Sequence, residues 1–167
     1  SGGYAEVGHQ GARLQEEILA VAKAAGMRII GPNTSGLTST PASLTTTFFP
    51  LGKIRRGPIS YIAQTGNFAT HTMKWILTGE NFGVARVAGL GNKIDVEDAE
   101  VLDYLGQDPE TRAILMYVEG FRDARRFFEV ARKVTKKKPV VVLKGGRTKT
   151  GAERAFTHTA SLGGNEL

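Results

Sequence analysis

The chain has 167 residues, 41% apolar and 23% charged, with a mean hydropathy of −0.18; that balance suits one globular domain, or one and a fragment of a second, and excludes a disordered tail. Its formal net charge is +6, and the excess is uneven: from residue 112 onward there are 13 Lys or Arg against 5 Asp or Glu, a field suited to phosphates, nucleotides or an acidic protein face. There is no cysteine, which excludes disulfides, thiolate metal sites and cysteine nucleophiles.

In chain order, residues 13–25 are predicted to form a helix with Leu14, Ile18, Val21, Ala22 and Ala25 inward, stopped by Gly26. Residues 27–30 are expected to be a short strand. This helix-strand unit has no earlier strand to pack beside, so residues 1–56 are expected to be the carboxyl-terminal remnant of a larger α/β domain and its connector. A turn-rich connector spans 31–57, extended over 45–49, and the domain boundary is placed near 50–57.

Residues 57–167 form the second expected unit. Short β-rich runs alternate there with helical patterns: strands over 58–63 (PISYIA), 84–88 (VARVA), 112–118 (RAILMYV) and 139–144 (PVVVLK), and helices over 67–78, 96–105 and 123–136. The strands are almost continuously apolar or β-branched, as parallel strands covered on both faces must be. In the last helix Phe127, Val130, Ala131 and Val134 form one apolar stripe. An α/β fold with a parallel sheet and helices on both faces follows. No apolar run approaches the roughly 20 residues that cross a bilayer, and SGGYAEVGHQ lacks the basic head and apolar stretch of a signal peptide. The cytoplasm is the expected compartment, with no membrane partner.

Ligands of an open parallel sheet bind beyond the carboxyl ends of its strands. After the first strand of this unit, Gln64-Thr65-Gly66-Asn67 feeds a helix start, whose free N–H groups suit a phosphate; an ordinary turn capped by Asn67 fits the same residues. After the second, Gly89-Leu90-Gly91 begins like a dinucleotide fingerprint, but Ile94 replaces the third glycine. The acidic run Asp95, Glu97, Asp98, Glu100 and Asp103 suits a helix start better than calcium, because the EF-hand glycine is missing. Gly146 and Gly151 have P-loop spacing, but Ala152-Glu153 replaces its Lys and Ser or Thr. His9 and His71 read as surface or boundary residues, and no metal site is expected. His158 lies in a stretch rich in glycine and threonine, where an imidazole can accept and pass on a phosphoryl group if a carboxylate fixes its tautomer. Glu119, at the end of the third strand, is on the same sheet edge and could supply that carboxylate; a solvated loop histidine is the plainer alternative.

The series GPNTSG (31–36), GPISYIAQTGN (57–67), GLGNKIDVED (89–98), YLGQDPETRAILMYVEG (104–120), KPVVVLKGGRT (138–148) and THTASLGG (157–164) resembles the NDP-forming acyl-CoA synthetases. ADP-forming acetate–CoA ligase is the nearer branch, and the α subunit of succinyl-CoA ligase a more distant relative. The resemblance implies a flavodoxin-like domain preceded by the tail of a Rossmann-like CoA-binding domain. It implies interconversion of acyl-CoA, phosphate and ADP with free acid, CoA and ATP, through an acyl phosphate and a phosphohistidine. On it, His158 matches the phosphorylated histidine and Glu119 the glutamate that orients it. Thr65, Gly66 and Asn67 fall on the phosphate loop, and Pro32 and Asn33 on the turn near the CoA thiol. Relatives commonly read S-x-S-G where this chain has Ala63-Gln64-Thr65-Gly66.

The implied cofactors are CoA, phosphate and ADP or ATP, with Mg²⁺ on an ATP-grasp domain or β subunit that these residues do not include. The resemblance therefore implies an incomplete, inactive piece of an oligomeric acid–CoA ligase. A non-catalytic CoA-sensing or regulatory module of a protein acetyltransferase fusion is the alternative; retention of both Glu119 and His158 favours the enzyme. No nucleic-acid motif accompanies the basic end, and few aromatics are present to stack on bases.

Overall fold

The computed structural model describes residues 2–49, 53–66, 71–72 and 82–146. A mostly parallel sheet carries the buried residues, and its last strand is largely exposed. Strands β3 (Arg56–Ala63), β4 (Val84–Gly89), β5 (Ala113–Val118) and β6 (Val140–Lys144) are parallel, β3 lying between β4 and β5. Two short strands, β1 (Leu37–Ser39) and β2 (Leu44–Thr45), extend the sheet antiparallel beside β4, giving the order β2-β1-β4-β3-β5-β6. The parallel part follows the doubly wound order of flavodoxin-like sheets.

Successive side chains of a strand point to opposite faces, and β3 shows it. Ile62 joins Ile114, Met116 and Val118 in one apolar layer, while Tyr61 and Ala63 join Val84 and Val87 in the other. Helices α2 (Asp98–Gln107) and α3 (Ala124–Val134) cover the first layer with Ala99, Leu102, Leu105, Phe127 and Val134. Burying a Leu, Val or Phe side chain contributes roughly 1.5–3 kcal/mol, so Leu102, Leu105, Phe127 and Val134 dock the helices far more firmly than surface ion pairs could. Asp123 caps α3, its carboxylate accepting from the Arg126 N–H. Gly66, His71 and Thr72 are helical; most of the helix expected over 67–78 lies outside the described residues.

The four core strands, α2 and α3 stand within two residues of their expected limits at every end. The expected strand over 27–30 is not a strand. Its backbone runs along the loop after β4: Ile29 accepts from the Val96 N–H (3.1 Å), Gly31 accepts from the Ile94 N–H (3.1 Å), and the Ile29 N–H donates to Asp95 Oδ2 (2.8 Å). Its hydrogen bonds are spent on a loop, so no ladder forms. The sheet neighbour in this half is instead the hairpin of β1 and β2, and of the region expected to be extended over 45–49 only Thr45 is strand.

Helix α1 (His9–Ala24) forms as expected, but its apolar stripe is largely open. Leu14 and Val21 are 45% and 66% exposed and Ala25 is exposed, while only Gly11 and Ala22 are buried. Gly11 packs under a 3₁₀ turn (Ala5–Val7), where an added Cβ would meet the Tyr4 carbonyl oxygen.

Candidate functional site

The loops after β3, β4 and β5 meet at the carboxyl edge of the sheet, and one buried amide joins them. Gln64, 1% exposed, follows β3. Its Oε1 accepts from the N–H groups of Glu119 (2.8 Å) and Gly120 (3.1 Å) and from Lys93 Nζ (3.0 Å). The Lys93 ammonium also donates to Asp98 Oδ2 (2.6 Å) and the Gly120 carbonyl (2.6 Å), which uses its three protons. Lys93 is buried and in the left-handed backbone region (φ 53°), and its own carbonyl accepts from Arg122 Nη1 (2.6 Å). Burial pushes the Asp98 carboxyl above the usual carboxylate range, against the opposing pull of Lys93.

Glu119 is itself buried directly beyond β5. The Tyr117 hydroxyl donates to its Oε1 (3.2 Å), and Lys144 Nζ at the end of β6 donates to its carbonyl (2.7 Å). Burial first, and the neighbouring Glu119 charge second, push the Tyr117 hydroxyl up to about 12. Gly145 lies tight against that hydroxyl, with an added Cβ 2.6 Å away.

Thr65 and Gly66 are half-buried immediately after Gln64, and Gly66 is helical. The neighbouring 31–36 turn supplies Pro32 and Asn33. Gly31 (φ 112°), Asn33 (φ 55°) and Gly36 (φ 86°) bend it back onto the sheet edge. It is pinned there by Thr34 Oγ1 donating to the Gly89 carbonyl (2.5 Å) and by the Asn92 N–H donating to the Pro32 carbonyl (2.9 Å). Pro32, Asn33 and Thr34 border a hollow that Leu14, Ile18 and Val21 of α1 also line.

Among the expected site residues, the structure thus brings Glu119, Thr65 and Gly66 to one edge, with Pro32 and Asn33 on the adjoining turn. Asn67 and His158 lie outside the described residues. His9 and His71 are exposed. Gln64, Lys93 and Tyr117 were not expected as site residues; the one readable signal was their position in or beside the loops that follow strands.

The acidic run is spent on ion pairs. Asp95 and Glu100 hold Arg28, Asp98 holds Lys93, Glu97 meets Arg126 and Asp103 meets Lys133. Part of the basic end therefore faces α2, and among the described residues no group of three His, Asp or Glu is arranged to hold a metal.

Residues 56–167 match the succinyl-CoA ligase like flavodoxin domain. The chain belongs to that family. Over 166 residues it is 43% identical to the α subunit of acetate–CoA ligase (ADP-forming) I of Pyrococcus furiosus, covering 99% of this chain and 36% of that protein. Acetate–CoA ligase (ADP-forming) II of Archaeoglobus fulgidus is 42% identical over 167 residues, 99% of this chain and 24% of that protein. Dinucleotide forming acetyl-coenzyme A synthetase 1 of Ca. Korarchaeum cryptofilum, solved in complex with phosphate and ADP, superposes with a TM-score of 0.89 at 37% identity, over 99% of this chain and 35% of that one. This flavodoxin-like domain is thus similar to a region of ADP-forming acetate–CoA ligases and, more distantly, to a succinate–CoA ligase α subunit of Trichomonas vaginalis. The chain spans about a third of the length of the Pyrococcus subunit, and less of the longer relatives.

Proposed function

We propose that the chain is the phosphoryl-transfer part of an ADP-forming acyl-CoA synthetase, which interconverts acyl-CoA, phosphate and ADP with free acid, CoA and ATP. In this reading His158 is the phosphoryl carrier. Phosphate attacks the acyl carbonyl and displaces the CoA thiol; His158 then takes the phosphoryl group from the acyl phosphate, releasing the acid, and gives it to ADP. Glu119 accepts the ring N–H on the side away from the phosphorus, fixing the tautomer and stabilising the imidazolium. The loop of Thr65, Gly66 and Asn67 takes the phosphate charge.

The observation that carries this reading is the arrangement of Glu119 beside the Thr65–Gly66 turn, both fastened to Gln64. The hollow bordered by Pro32, Asn33 and the mainly apolar Leu14, Ile18 and Val21 suits the thiol arm of CoA. Residues 1–56 are then the end of a Rossmann-like CoA-binding domain, and 57–167 the flavodoxin-like domain. An ATP-grasp domain or β subunit brings ADP or ATP with Mg²⁺, in an oligomeric cytoplasmic enzyme.

The test is labelling of the full-length enzyme with γ-labelled ATP. An acid-labile, base-stable label is expected on the wild type and none on His158→Ala. Glu119→Gln should slow labelling by roughly 100-fold or more while half-saturation by CoA is unchanged. This chain alone should give no acyl-CoA from ATP, acid and CoA. A His158→Ala enzyme that keeps the label rules the carrier out.

A further inference from the structure

Gln64 has an unusual set of partners. Two backbone N–H groups and an ammonium converge on one atom of its side chain, at 2.8, 3.1 and 3.0 Å. An amide nitrogen there would face three donors, so that atom must be the oxygen. Buried at 1% exposure, it cannot turn away from those donors without leaving them unpaired in the interior, where water does not replace the lost bonds. The backbone of Gln64 is committed as well, its N–H donating to the Tyr117 carbonyl (3.0 Å) two residues before Glu119. Thr65 and Gly66 follow without a break. One residue therefore bonds the chain on both sides of Val118 and leads directly into the helix start.

Lys93 sets the orientation of that amide. It is held by Asp98 and Gly120, and its left-handed backbone fixes where its side chain begins. Its positive charge attracts the oxygen end of Gln64 and repels the nitrogen end. The loop after β4 thereby fixes the relation between the loops after β3 and β5.

We propose that Gln64, oriented by Lys93, is a positioning residue for phosphoryl transfer: it locks the Thr65–Gly66 turn to the Glu119 loop so that both face the transferred group as one unit. This rests on the function proposed above and adds to it a residue that touches neither the phosphate nor the imidazole. Shape is retained and the acceptor lost in Gln64→Met. In Gln64→Glu the accepting oxygen is retained.

The experiment measures single-turnover labelling by γ-labelled ATP in the full-length enzyme, together with the CoA concentration for half-saturation and the thermal midpoint. Gln64→Met is expected to label about 100-fold more slowly, the scale of a ~1 Å misplacement, with CoA half-saturation unchanged. Gln64→Glu should recover most of the rate. Val134→Ala, in the core away from the site, controls for stability: it should lower the midpoint and leave labelling intact. If Gln64→Met fails to fold, Gln64→Asn, which draws the amide back by one methylene, must show the same loss of rate. A wild type that never carries the label overturns the function itself. A labelled wild type with Gln64→Met or Gln64→Asn at the wild-type rate, or with rates that merely track the midpoint as in Val134→Ala, overturns only the positioning role.

Discussion

Gly91 shows how narrowly single residues shape the carboxyl edge of the sheet. Its φ is 56°, and a Cβ there would lie 2.1 Å from the Pro32 carbonyl oxygen, the acceptor of the Asn92 N–H. Backbone must move to admit a methyl group. Left-handed alanine alone costs roughly 1–2 kcal/mol, and the clash adds to it, so Gly91→Ala should lower unfolding free energy by at least about 2 kcal/mol in a urea titration. A loss below half that would mean the turn yields freely. The expected residues Glu119, Thr65 and Gly66 were legible because they follow strands, where a parallel sheet exposes its loops. Gln64 and Lys93 were not, because the bonds that converge on the Gln64 side chain join positions 29 to 56 residues apart. Nothing local in the chain marks such partners.

Among the elements, the segment over 27–30 is tied through Arg28 to the loop after β4 and to α2. Arg28 meets both carboxylate oxygens of Asp95 (2.9 and 3.0 Å) and both of Glu100 (2.8 and 2.9 Å). The Arg28 guanidinium, and next the Ile29 N–H, hold the Asp95 carboxyl below the usual carboxylate range. A carboxyl lowered on folding contributes stability above its unfolded value, near pH 4, and loses it as pH falls through the lowered value. Thermal midpoints between pH 5 and pH 2 should therefore fall less steeply in Arg28→Leu than in the wild type, the two curves converging at the acid end. Equal slopes would remove Asp95 from the account. Strands β3 to β6 were legible as runs of β-branched and apolar residues, and α2 and α3 by their stripes. The β1–β2 hairpin was not, since its five strand residues are Leu, Thr, Ser, Leu and Thr, in a region dense in turn formers.

At the scale of the molecule, the open stripe of α1 is the clearest feature without a counterpart in the described core. Leu14 and Val21 stand exposed on one side of the hollow beside Pro32, with Met27 at 57% exposure nearby. Apolar surface grouped in this way favours association. The purified chain should show concentration-dependent self-association by sedimentation velocity, and the double change Leu14→Lys, Val21→Lys should abolish it; a wild-type chain that stays monomeric throughout would show this face to be inert. The sheet order has another consequence. β3 comes first of the four parallel strands and ends between the next two, with Ile59 beside Ala113 and Ala63 beside Tyr117. Its second ladder must wait for two crossovers, and loop closure is costly before those contacts form. During synthesis, Tyr61, Ile62 and Ala63 leave the ribosome well before the strand that covers them, and β1 leaves before β4. The order that sets this strand between two parallel neighbours in the finished protein also keeps it uncovered for much of the nascent chain's growth.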